Sequence, residues 1–206
     1  MIVEMRIDTL HPGTVSKFEE RFREALPSRT KLSRLGAFWR TEIGTLNQVI
    51  HLWPYENLDD FARVRAAEVM LKDWPPKIGE YIVGQQCDLF TLAPFSPLIQ
   101  PGQYGSVYDI RTETLVQGGI PHFISRWSER ITERMKLSPL IATMHSEVGG
   151  LNKIVHIWGY KDMADREHIR AEAIRLGVWP LGTHDMGIVL RQEVMVVKPA
   201  TFSPIL

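Results

Sequence analysis

The stretch LNQVIHLWPY at residues 46–55 returns at 151–160 as LNKIVHIWGY. Working outward at the same shift of 105, residues 3–75 lie over 108–180 without a gap and 26 of the 73 positions are identical. RTKLS at 29–33 meets RMKLS at 134–138, and FSPL at 95–98 meets FSPI at 202–205 at a shift of 107, two residues having entered near the last strand of the second copy. A unit of this size is too long for a solenoid repeat of about 20–50 residues and has the length of a small domain. The chain is therefore expected to be two domains of one fold, over 1–98 and 104–206, packed about a pseudo-two-fold axis and joined through the Pro- and Gly-rich stretch Pro94–Gly102.

Within one copy, Val3, Met5 and Ile7 alternate with Glu4, Arg6 and Asp8, the pattern of a strand with one apolar face. Val15, Phe18, Phe22 and Leu26 then recur every three or four residues, as a helix stripe does, and Ile120, Phe123, Trp127 and Ile131 repeat it. Ala37–Ile43 and Gln48–Trp53 read as a hairpin around the four residues Gly44–Asn47. The span 57–70 reads as a second helix, with Asn57 or its counterpart Asp162 as N-cap. Trp74-Pro75, repeated as Trp179-Pro180, ends it. Last strands are predicted near Gln85–Leu92 and Met186–Val197. The order βαββαβ is the ferredoxin-like motif. The fold class is thus α+β: tandem ferredoxin-like units whose antiparallel sheets pack face to face as a dimeric α/β barrel.

The composition bounds the function. Lys and Arg number 24, equal to Asp and Glu, which gives no basic surface for nucleic acid. No apolar run reaches the roughly 18–20 residues of a membrane span. The opening MIVEMRIDTL enters a strand pattern at once, without the basic and apolar blocks of a signal peptide or an Arg-rich transit segment. With the single Cys87, read as a structural thiol, this places the expected location in the cytoplasm.

Alternation also sorts the hairpin into faces. Ala37, Trp39, Ile43, Ile50 and Leu52 form an apolar face assigned to the helices. The opposite face, with Arg40, Glu42, His51 and Trp53 in the first copy and His145, Glu147, His156 and Trp158 in the second, is assigned to the space between the sheets, together with Arg6 and Arg111. The four-residue turn would set Arg40 opposite His51. Arg, His and Glu among aromatics suit a cleft for a small, partly apolar molecule. The same set equally suits a closed, mutually hydrogen-bonded packing layer. Arg65 and Arg170 read as salt-bridge residues, and Trp74 and Trp179 as caps on the core. No metal site is expected, because no pair of His or Cys has zinc-site spacing, and no cofactor is expected, because phosphate-cradling and nucleophile motifs are missing.

FWRTEIGTLNQVIHLWPYENL, ARVRAAEV and the opening VEMRIDTLHPG resemble the NIPSNAP family, and YDIRTETL, HSEVGGLNKIVHIWGYKD and IRAEAI carry a looser likeness through the second half. Met144 and His145 replace Trp39 and Arg40, so a role tied to that pair belongs to the first copy. The resemblance implies two NIPSNAP-type domains in a dimeric α/β barrel and brings no catalytic mechanism with it. Animal members look like mitochondrial interaction proteins with N-terminal extensions, and related barrels include cofactor-independent monooxygenases and haem-degrading enzymes. The leading expectation is binding of a small molecule in an inter-sheet cleft. The alternatives are a cofactor-independent enzyme, with His51 or His156 as acid–base group and Arg40 or Arg6 as anion anchor, and a protein–protein interaction module without a pocket. An intrachain pseudo-dimer is predicted, with further homo-oligomerisation left open.

Overall fold

The structure is a computed structural model and describes residues 1–179 and 187–206. Each half builds the predicted unit. In the first, β1 (Ile2–Leu10), α1 (Val15–Arg29), β2 (Ala37–Ile43), β3 (Gln48–Tyr55), α2 (Leu58–Glu68) and β4 (Ile82–Leu92) follow in order. In the second, β5 (Val107–Leu115), α3 (Gly119–Ser128), α4 (Ile131–Met135), β6 (Leu140–Val148), β7 (Lys153–Tyr160), α5 (Met163–Arg175) and β8 (Val189–Pro199) do the same, the first helix now broken in two. Met186, where the last strand was expected to begin, lies outside the described residues. Asn57 and Asp162 cap α2 and α5 as expected, their side chains accepting from the backbone N–H of Asp60 and Asp165 at 2.9 and 2.8 Å.

The two sheets are one. Each half has the order β4-β1-β3-β2 or β8-β5-β7-β6, and the halves join at β2–β8 and β4–β6 into a closed antiparallel barrel of eight strands. Closure leaves no complete edge strand, which an open four-stranded sheet would have at both sides.

Closure also inverts the face assignment made from the sequence. The apolar face of Ala37, Trp39, Ile50 and Leu52 lies inside the barrel with Ala142, Met144, Val155 and Ile157, in one core shared by both halves. Phe38, Val49 and Trp53 instead pack outward against Phe18 and Phe22 of α1. The reason is access. The barrel interior is closed off from water, so it takes the face with the fewest polar groups to satisfy, only the Trp39 N–H and the Tyr108 hydroxyl being left there without a partner among the described residues. The helix-covered face opens to water at the helix margins and can hold His and Glu. The inter-sheet cleft is therefore replaced by a packed core, into which Ile99, from the stretch read as a linker, and Ile205 both bury completely.

The hairpin register is shifted by two residues from the one a four-residue turn would set. Phe38, not Arg40, stands opposite His51, and Arg40 faces Val49. Thr41 closes the longer loop, accepting at Oγ1 from the Gln48 backbone N–H at 3.2 Å. A shift of two leaves every side chain on its own face.

Candidate functional site

His51 sits on the outer face of β3, its ring 5.2 Å from that of Phe22 and 5.7 Å from that of Phe38. Both ring nitrogens are engaged. The Trp53 indole N–H donates to Nδ1 at 2.7 Å, and Nε2 lies 3.1 Å from Asp8 Oδ2. An indole N–H is only a donor, so Nδ1 must be the unprotonated nitrogen and Nε2 carries the hydrogen donated to Asp8. Gln85 donates to the other Asp8 oxygen at 2.7 Å. Burial alone would raise the Asp8 carboxyl, but the hydrogen bonds from His51 and Gln85, with the charge of Arg6, outweigh it and hold Asp8 below the usual carboxylate range.

A second chain of bonds starts at Arg29, the last residue of α1 and almost fully buried. Its Nε donates to Glu68 at 3.0 Å, Nη1 to Ser33 at 2.7 Å and Nη2 to the Tyr55 hydroxyl at 2.9 Å, while the guanidinium lies 4.4 Å from the Trp53 ring centre. Tyr55 in turn donates to Glu4 at 2.9 Å. Burial, and then Glu4, raise the Tyr55 phenol far above its ordinary value. Cys87 is exposed on β4, but its sulfur lies 3.3 Å from the same carboxylate, and partial desolvation of the thiol together with Glu4 pushes it up to about 12.

The second half repeats the plan with changes. The Trp158 N–H donates to His156 Nδ1 at 2.8 Å, and Arg134 donates to Ser138 and Tyr160 over the Trp158 ring. Glu113 stands where Asp8 does, but His156 Nε2 is 3.5 Å from it and hydrogen-bonds to no described residue. Burial, more than Glu113 can offset, holds His156 below its ordinary value. Ala173 stands in the place of Glu68, and Asp109, the counterpart of Glu4, is paired by Arg166 and Arg170 at 2.6 and 3.6 Å.

Beside the first network a pocket of about 580 Å³ opens between the sheet, the C-terminal end of α2 and the segment 74–79. Arg6, Asp8 and His51 form its floor, Arg65 and Glu68 one wall, and Trp74, Ile78 and Ile82 much of the rest. The corresponding described space in the second half, lined by Arg111, His156 and Trp179, is about 10 Å³.

The residues singled out from the sequence are thus divided. Arg6, His51 and Trp53 come together under α1 and α2, as do Arg111, His156 and Trp158 in the second half. The others do not join them. Arg40 reaches out to Glu19 at 3.3 Å, Glu42 is exposed and paired with Lys198 at 3.0 Å, and His145 and Glu147 face each other at 3.5 Å at the far end of β6. Glu4, Asp8, Arg29, Tyr55 and Glu68 were not singled out. The identical Arg29/Arg134 and Tyr55/Tyr160 within the longest repeated blocks were the signal for two of them.

A βαββαβ unit used twice, closed into one eight-stranded barrel and carrying the same His–Trp–Arg–Tyr network under each pair of helices, defines a two-repeat protein of the dimeric α/β-barrel type. The family model described as NIPSNAP matches residues 3–97 and again residues 108–204, and the chain belongs to the NIPSNAP family, as the resemblance implied. Protein NipSnap homolog 3B of Homo sapiens is 28% identical over 98% of this chain and 85% of its own length. Protein NipSnap homolog of Dictyostelium discoideum is 32% identical over 77% of this chain and 70% of its own. Among solved structures, a putative monooxygenase from Fusobacterium nucleatum superposes with a TM-score of 0.71 over 96% of this chain and 91% of its own, at 10% identity, a likeness of fold alone. No helix among the described residues is long and apolar enough to cross a membrane.

Proposed function

We propose that this NIPSNAP-family chain binds a small, partly apolar molecule in the pocket of its first half. The place is the space between sheet and helices, not the space between sheets. The observation that carries the reading is the pocket itself: about 580 Å³, within the range of small-molecule sites, with an apolar wall and charged groups converging on one side. Binding is favoured over acid–base catalysis by His51, because its Nδ1 is occupied by an indole N–H and its Nε2 by Asp8. A single thiol held far from ionisation is compatible with a cytoplasmic setting, which we include in the proposal.

The test is mass spectrometry of small molecules released from the purified chain on denaturation, alongside an Ile82→Trp variant that fills the pocket and whose fold is checked by thermal melting. We expect a molecule carried by the wild type and missing from the folded variant. A wild-type chain that carries nothing, and takes up nothing from a metabolite extract, would overturn the reading.

A further inference from the structure

The chain contains its own comparison for this pocket. In the second half the Trp179 ring lies 5.3 Å from the His156 ring and 5.1 Å from that of Trp127, with the Arg111 guanidinium 5.2 Å from its centre. In the first half the repeat sets Trp74, His51, Phe22 and Arg6 in the same positions. Trp74 keeps the contact with Phe22, at 5.4 Å, but its other aromatic neighbour is Trp53 at 6.0 Å, and the cation nearest its face is Arg29. The indole has turned away from the His–Arg side. The place that Trp179 fills against His156 and Arg111 is, against His51 and Arg6, open and part of the pocket.

The polar groups around that place are unevenly used. Both Asp8 oxygens accept, from His51 and Gln85, and both Glu68 oxygens accept, from Arg29 and Arg65. The donors are not exhausted. Arg6 Nε is buried without a partner among the described residues, and the guanidinium reaches Glu4 only at 3.7 Å. What the pocket lacks is an acceptor, and a charged acceptor suits an Arg best. It also lacks the ring that covers the equivalent Arg in the other half, a contact favourable for a guanidinium.

Resting on the pocket reading above, we infer that the ligand is a small aromatic acid. Its ring takes the place held by the Trp179 indole in the second half, and its carboxylate binds Arg6. A one- or two-carbon arm between ring and acid lifts the carboxylate out of the ring plane, so that one guanidinium meets both. Arylacetic and arylpropionic acids have this form.

The probe is indole-3-acetate, titrated into the full chain and followed by the ring N–H signal of Trp74 in ¹H–¹⁵N spectra, assigned with Trp74→Phe. Indole-3-acetamide keeps the ring without the charge, and octanoate the charge without the ring. We expect the acid to move the Trp74 signal and both controls to bind at least tenfold more weakly. Arg6→Gln should weaken the acid at least tenfold and the amide, which keeps only the ring contact, by much less. Arg6→Lys, which keeps the charge, should lose less, and Arg111→Gln should lose nothing. Melting curves establish that each variant is folded. Octanoate binding as tightly as the indole acid would overturn the ring assignment, and the amide matching the acid would overturn the charge assignment. Either leaves the pocket reading standing. If the chain carries a molecule through purification yet no probe moves Trp74, the aromatic-acid inference fails alone. If it carries none and takes up none, the pocket reading fails with it.

Discussion

Replacing His51 with Ala separates a closed network from a solvent-lined pocket residue. His51 is 3% exposed and joins Trp53 to Asp8. Removing the ring leaves the Trp53 N–H without an acceptor, at a cost of about 1–3 kcal/mol for a buried unsatisfied donor. It also leaves the Asp8 carboxylate without one of its two hydrogen-bond donors, and stripping the partner from a buried charge costs about 3–5 kcal/mol. Because Gln85 still donates to Asp8 and Arg6 stands nearby, the combined loss should fall near the lower end, ~4 kcal/mol. The pH dependence carries the sign. The folded Asp8 carboxyl lies below its unfolded value of 3.8, so its contribution is present above that value and is lost as pH falls through the folded value. His51 is a main cause of the depression. The gap between wild type and His51→Ala should therefore be widest at neutral pH and shrink below pH 3.8. In an Asp8→Asn background, which has no charge to strand, the same substitution should cost at least about 1 kcal/mol less. Urea unfolding at pH 7 and pH 3 in both backgrounds measures all of this. An unmoved midpoint, or one equal loss in all four conditions, would refute the network.

Phe18, fully buried against Phe22 and Phe38, should cost about 3–5 kcal/mol on truncation to Ala, read as a lowered urea midpoint with unchanged slope. Cys87 should react with iodoacetamide at pH 8 at least about a hundredfold more slowly than a free thiol, because its value of about 12 leaves almost no thiolate, and the rate should climb steeply above pH 10. Glu4→Gln should lower that value and speed the reaction, whereas a rate already like that of free cysteine would contradict the Cys87–Glu4 contact.

The unit βαββαβ was legible because its marks are local: the alternation of Val3–Asp8, the stripe of Phe18 and Phe22, the caps Asn57 and Asp162. Which face of the hairpin lies inward was not legible. Alternation separates Leu52 from His51 but does not say which side is sealed, and that depends on β2 finding β8, far off in the chain. The turn misled on register because Glu42 and Ile43 join the loop after Thr41 closes it. The partnership of Arg29 with Glu68 links two helices and left no periodic trace, and the second half does not repeat it, since Ala173 stands in for Glu68.

The two seams of the barrel differ in when they can be made. The β4–β6 seam joins Leu89 to Val148, but the β2–β8 seam joins Trp39 to Pro199, more than twice as far along the chain. Contacts of such separation form slowly, since a long loop must be closed before they return anything. During synthesis, at roughly 5–20 residues per second, β2 leaves the ribosome on the order of ten seconds before its neighbour exists. For that interval the nascent chain presents an unpaired edge beside Trp39, the kind of surface that chaperones hold and that mispairs when they do not. Strand pairing in the first half, β1 with β3 and β4, has no such wait.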